Sequence, residues 1–131
     1  MSMYKVTGHI GRDHYRAEIK SATNTIIADE PVDVGGKDLG LSPSELLASS
    51  LAACTCITVR MYADRKKWSL DEILVDITLE KLEGKSKFVR SIEFKGNLDE
   101  TQRTRLMAIA NKCPIHQALT NPIEIETIFS K

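Results

Sequence analysis

The sequence predicts an α+β protein, on three observations. Period-2 alternation marks an N-terminal group of short strands. A long, almost uncharged helix follows them. Beyond it, a second pair of alternating segments is succeeded by another helix. With 131 residues, the chain has the length of a single domain over 1–131 with one real core. No internal repeat, low-complexity stretch or linker divides it.

In the first strands, Tyr4, Val6, Gly8 and Ile10 alternate with Lys5, Thr7 and His9, and Tyr15, Ala17 and Ile19 alternate with Arg16, Glu18 and Lys20. Gly11-Arg12-Asp13 makes the turn between them, and Thr25 to Ala28 completes an antiparallel meander. Asp29-Glu30-Pro31 and the glycine-containing stretch 35–40 then break regular structure.

The central helix has a well-marked start. Ser42 stands at the N-cap, Pro43 at the first helical position and Glu45 three residues after the cap, which predicts helix over about 43–66. Its 14 residues between Glu45 and Arg60 carry no charge and include Ala48, Ser49, Ser50, Ala52 and Ala53. That run is shorter than the roughly 20 apolar residues a bilayer requires, which favours a core helix over a membrane span. A helix about 36 Å long and apolar nearly all round is hard to cover within one small protomer, so a homodimer is expected.

Downstream, Ile73, Val75, Ile77 and Leu79 alternate with polar neighbours, Gly84-Lys85-Ser86 turns the chain, and Phe88 to Lys95 returns as the partner strand. Asp99 and Gln102 form a capping box for a second helix, which runs to Cys113, where Pro114 stops it. Ile123 to Phe129 reads as a closing strand.

Composition excludes several function classes. Eighteen basic and eighteen acidic residues cancel, with no run of like charge to form a nucleic-acid footprint. The first ten residues hold no apolar stretch of signal-peptide length, so a cytoplasmic protein is expected. Three cysteines in a reducing compartment leave packing, metal binding or catalysis. Zinc could be imagined on Cys54, Cys56, Cys113 and His116. A C-x-C spacing in a helix, however, turns two sulfurs about 200° apart, so no metal site is expected. His9 and His14 sit in strand-like context, where exposure is the ordinary outcome, and no nucleophilic-serine motif is present.

Cys54 and Cys113 remain as a thiol pair. A mid-helix thiolate gains little from a helix N-terminus and needs a nearby cation, with Arg12, Arg16 and Arg60 as candidates. Of these, Arg12 at a turn is the freest to point inward. Cys113, at the C-terminal end of a helix, is the poorer nucleophile. The roles therefore separate as attacking Cys54 and resolving Cys113, with Cys56 as packing. The competing class is a non-catalytic binding module with a buried thiol pair.

The segment SPSELLASSLAACTCITVRMYADRKKW resembles the central-helix signature of the OsmC/Ohr family, NKCPIHQAL resembles its second cysteine motif, and DEPVDVGGKDLGLSPSELL resembles an OsmC-like branch. The resemblance implies an intertwined homodimer with active sites at its interface. It also implies thiol-dependent reduction of organic hydroperoxides, with regeneration by an external dithiol reductant and without metal or organic cofactor. Cys54 is then the peroxide-attacking thiol, Cys113 the resolver and Arg12 the activating cation, with Leu47, Leu51, Ile57, Thr58 and Met61 as an apolar surround. One position departs from the family: the glutamate that orients the arginine ten residues before the first cysteine is here Ser44, and Glu45 falls one residue late.

Overall fold

A computed structural model of the protein describes residues 3–130. The chain divides into two compact units, residues up to Ala48 and residues from Ser49 onward, with one helix running through the boundary.

In the first unit, strands β1 (Thr7–His9), β2 (Ala17–Lys20) and β3 (Thr25–Ala28) form an antiparallel meander in the order β1-β2-β3. The first two are shorter than the alternation suggested: Tyr4, Val6 and Ile10 lie outside the ladder and are exposed. The loop after β3 is organised by Asp29. One carboxylate oxygen accepts the backbone N–H groups of Tyr15 and Glu30 at 3.0 and 2.7 Å, and the other accepts those of Lys37 and Leu39 at 3.3 and 3.2 Å. Burial alone would raise the Asp29 pKa, but these four bonds outweigh it and hold the carboxyl below its ordinary range. Glycine is required at 40, where a Cβ would run into the Ile27 carbonyl.

Helix α1 (Pro43–Lys66) starts as expected. Ser42 Oγ accepts the Glu45 N–H at 3.2 Å and the Glu45 carboxylate accepts the Ser42 N–H at 2.9 Å. Only the stripe Leu51, Thr55, Val59 and Ala63 is buried in the chain, at the i, i+4 spacing of one face. Ile57 and Met61 are 54% and 64% exposed. The helix is long and apolar enough to cross a membrane by length and composition, yet only 22% of its most apolar stretch is covered. Its apolar character on several faces is therefore not used up within one chain.

In the second unit, β4 (Ser69–Leu82) and β5 (Lys85–Asn97) form a long hairpin in the register Ile73↔Phe94, Val75↔Ile92, Ile77↔Arg90 and Leu79↔Phe88. Both strands are longer than the alternation alone indicated, and the turn is the pair Glu83-Gly84, with Gly84 at φ 77°. Helix α2 (Glu100–Ala110) carries the expected capping box: Asp99 Oδ1 accepts the Gln102 N–H at 2.7 Å and Gln102 Oε1 accepts the Asp99 N–H at 2.9 Å. The core is Val59 and Ala63 of α1, Leu70 and Phe94 of the hairpin, and Leu106, Ile109 and Ala110 of α2. Arg103 ties α2 to the end of β5, donating to the carbonyls of Phe94, Gly96 and Leu98.

Two expectations are corrected at the C-terminal end. Helix α2 stops at Ala110, and the chain enters a further helix, α3 (Pro114–Thr120), with Cys113 as its N-cap. Pro114 opens this helix as its first residue instead of marking the end of α2. Residues 123–129 form no strand in the single chain. Their alternation is real, but among the described residues none pairs with them as a ladder partner, and Ile123, Ile125, Ile128 and Phe129 are exposed.

Candidate functional site: a thiol pair and its arginine

Cys54 lies on α1 between Leu51 and Thr55 of the buried stripe, and is itself half-buried. Its Sγ is 3.8 Å from Thr58 Oγ1. Cys113 is fully buried. The Cys54 thiol is near enough to Cys113 to raise its pKa, so the structure brings the two cysteines singled out from sequence into one neighbourhood.

The electrostatics of Cys113 differ from the sequence expectation. It caps the start of α3 and does not lie in the last turn of α2, and its Sγ accepts the His116 backbone N–H at 3.2 Å. A helix start favours a thiolate, the reverse of the effect assumed from sequence. Burial nonetheless dominates and pushes the Cys113 thiol up; contact with Cys54 pushes in the same direction, while the His116 N–H and the Arg90 charge pull it down. Burial, not its helix end, is what holds the Cys113 thiol above its ordinary range. Cys56, two residues from Cys54, lies elsewhere: it lines a separate surface depression with Ile57, Arg60, Met61 and residues 71–73, and burial raises its thiol.

The cation at the pair is one that sequence reasoning missed. Arg90, on β5, sends Nη1 to Thr55 Oγ1 at 3.0 Å and to the Ala110 carbonyl at 3.5 Å, and Nη2 to Asn111 Oδ1 at 2.8 Å and His116 Nδ1 at 3.0 Å. Of the arginines named from sequence, Arg60 pairs with Asp64 at 3.1 Å and the Asp71 carbonyl at 3.2 Å. Arg16 pairs loosely with Glu18 at 4.0 Å, and Arg12 stands in the exposed bend between β1 and β2, in the first unit. A signal for Arg90 was present. In the strand Phe88 to Lys95, Phe88, Arg90, Ile92 and Phe94 share one face, and a lone arginine in an apolar row needs buried acceptors.

Beside this network is a cavity of about 430 Å³ lined by Leu51, Phe88, Leu119, Arg90, His116, Lys85, Ser86, Lys87 and Thr120. Its lining combines the apolar Leu51, Phe88 and Leu119 with the cationic Lys85, Lys87 and Arg90. Leu51 is the one residue of the expected apolar surround that lines it; Ile57 and Met61 line the depression beside Cys56.

In this α+β chain a mid-helix thiol thus neighbours a second, helix-capping thiol, and Arg90 is bonded to the segments that carry both. The OsmC-like protein family model matches residues 35–128, and the chain belongs to this family. Among solved structures, an OsmC-like protein from Mycoplasma pneumoniae superposes with a TM-score of 0.75 at 23% identity, over 90% of this chain and 87% of that one. OhrB of Bacillus subtilis, an organic hydroperoxide resistance protein, gives a TM-score of 0.62 at 25% identity over 91% of both chains. An organic hydroperoxide resistance protein OsmC from Legionella pneumophila gives 0.64 at 22% identity, over 92% and 90%. No curated protein matches the chain.

Proposed function

We propose that this protein is a cysteine-based peroxidase that reduces organic hydroperoxides. The observation that carries the reading is that the Cys54 and Cys113 thiols are neighbours, Cys54 close enough to raise the Cys113 pKa, the proximity one cysteine needs to resolve the oxidation of the other. Membership of a family that includes hydroperoxide resistance proteins supports it.

In this reading the Cys54 thiolate attacks the terminal oxygen of ROOH. The O–O bond breaks, the alkoxide takes a proton and leaves as ROH, and Cys54 becomes a sulfenic acid. Cys113 then loses its thiol proton and attacks the sulfenic sulfur; the S–O bond breaks, the hydroxide takes up a proton and leaves as water, and the Cys54–Cys113 disulfide forms. An external dithiol returns both cysteines to thiols. All electrons come from the thiols, so the cycle is complete without metal or organic cofactor. Leu51, Phe88 and Leu119 give the cavity apolar lining for the alkyl group. The resemblance also nominates Arg12 as an activating cation. Its test is Arg12→Ala, which should slow alkylation of Cys54.

The working form in this reading is a cytoplasmic homodimer. The uncovered faces of α1 and the exposed alternating segment 123–129 are the surfaces that a second copy would cover.

The test is peroxide consumption with cumene, tert-butyl and hydrogen peroxide, using dithiol or monothiol as reductant. Dithiol-dependent turnover, fastest with the organic peroxides and abolished in Cys54→Ser, is expected. Thiols that stay unmodified in the folded protein under all three peroxides would overturn the reading in favour of a binding module.

A further inference from the structure

Arg90 occupies a position that ordinary strand chemistry does not explain. It sits on the half-buried face of β5 with Phe88, Ile92 and Phe94, where a charge must be met by acceptors. The acceptors it finds come from both cysteine-bearing segments. Thr55, which follows Cys54, takes Nη1; Ala110, Asn111 and His116, which flank Cys113, take the remainder. Thr55 is fully buried and donates its hydroxyl hydrogen to the Leu51 carbonyl in a 2.7 Å hydrogen bond, so its oxygen is held in place to accept from Arg90. Among the described residues, Arg90 makes no ion pair, and all four acceptors are neutral.

A guanidinium has five N–H donors and no acceptor. The 3.0 Å contact with His116 Nδ1 therefore requires that nitrogen to accept, which leaves the proton on Nε2. His116 lines the cavity, so Nε2–H is its remaining polar group for a ligand there.

We propose that Arg90 is the positioning residue of the thiol pair: a fork on β5 that ties the Cys54 helix to the Cys113 turn, fixes His116 as an Nε2–H donor, and supplies the unpaired positive charge that a thiolate formed at the pair requires. The proposal rests on the reading that the two thiols react with each other, but not on what oxidises them. A bidentate fork gives direction as well as charge, so lysine at this position keeps only part of the function.

The experiment measures the thiol–disulfide equilibrium of the full-length protein against glutathione, in which Cys54 and Cys113 form their disulfide as one glutathione disulfide is reduced to two glutathiones. Trapped thiols are counted by mass spectrometry, and His116 is followed in parallel by ¹⁵N NMR. Arg90→Met should lower the effective concentration of the pair at least ~10-fold, about 30 mV for this two-electron couple, and should mix the two His116 tautomers. Arg90→Lys should fall between. Asn111→Ala, which removes one acceptor at the surface, should give a smaller loss in the same direction and serves if Arg90→Met does not fold. Folded variants with an unchanged equilibrium and an unchanged His116 signature would overturn the proposal. Because glutathione exchange needs no peroxide, a protein that shows the full Arg90 effect yet consumes no hydroperoxide would uphold the clamp and sink the peroxidase reading alone.

Discussion

The bond between Arg90 and Thr55 can be measured by a double-mutant cycle. Thr55→Val keeps the side-chain shape and removes the hydroxyl that accepts from Arg90 Nη1 at 3.0 Å. What remains for Nη1 is the Ala110 carbonyl at 3.5 Å, at the limit of a hydrogen bond. The lost back-bond to Leu51 matters little, because that carbonyl keeps its place in the helical ladder. A hydrogen bond to a charged group contributes about 1.5–3 kcal/mol, and partial solvent access at Arg90 reduces this to about 1–2 kcal/mol. Valine gains some burial of its own, so the single substitution understates the bond, whereas the cycle with Arg90→Met cancels that gain. The assay is urea unfolding of wild type, both single variants and the double variant, fully reduced and at one protein concentration, since dimerisation would make stability concentration-dependent. A coupling energy of about 1–2 kcal/mol is expected. A coupling within about 0.5 kcal/mol of zero, the scatter of independent sites, would refute the reasoning.

Leu106→Ala empties a fully buried position of the α2 core and should cost about 3–4 kcal/mol in the same urea assay; a loss under about 1 kcal/mol would mean that the core collapses to fill the site. Asp29 has its folded-state pKa lowered, so its contribution is fully present above its unfolded pKa and is lost as pH falls through the folded-state value. Asp29→Asn sets an amide N–H₂ against backbone donors that now share two oxygens, and should destabilise the protein at neutral pH and flatten the acid limb of its stability curve, read by circular dichroism; an unchanged acid limb would contradict this. Sedimentation equilibrium should show a dimer at micromolar concentration, with Met61→Glu on the uncovered face of α1 shifting it toward monomer; a stable folded monomer in the wild type would remove the dimer proposal.

What was legible in the sequence was local. The capping boxes at Ser42/Glu45 and Asp99/Gln102 are satisfied within a few residues of themselves, and the meander and hairpin follow from alternation. The pairing of Cys54 with Cys113 was legible through the family resemblance and the spacing of the two motifs. What was missed depends on partners distant in the chain. Arg90 acquires its meaning only when β5 is laid beside Thr55, 35 residues away, and His116, 26 residues away. The Cys113 electrostatics were misread because α2 already stops at Ala110 and Pro114 begins α3, which reverses the sign of the dipole at the sulfur. The segment 123–129 has strand periodicity, but periodicity records which side chains alternate and does not supply the neighbour that accepts the hydrogen bonds.

The central claim is that Cys54 is oxidised by a hydroperoxide and Cys113 resolves it, and intact-mass analysis after one equivalent of cumene hydroperoxide tests it most directly. The wild type should lose two hydrogens, with peptide mapping joining Cys54 to Cys113, while Cys113→Ser should gain one oxygen on Cys54 and Cys54→Ser should remain unmodified. Oxygen appearing on Cys113 in Cys54→Ser, with Cys54 untouched in Cys113→Ser, would contradict the assignment of roles.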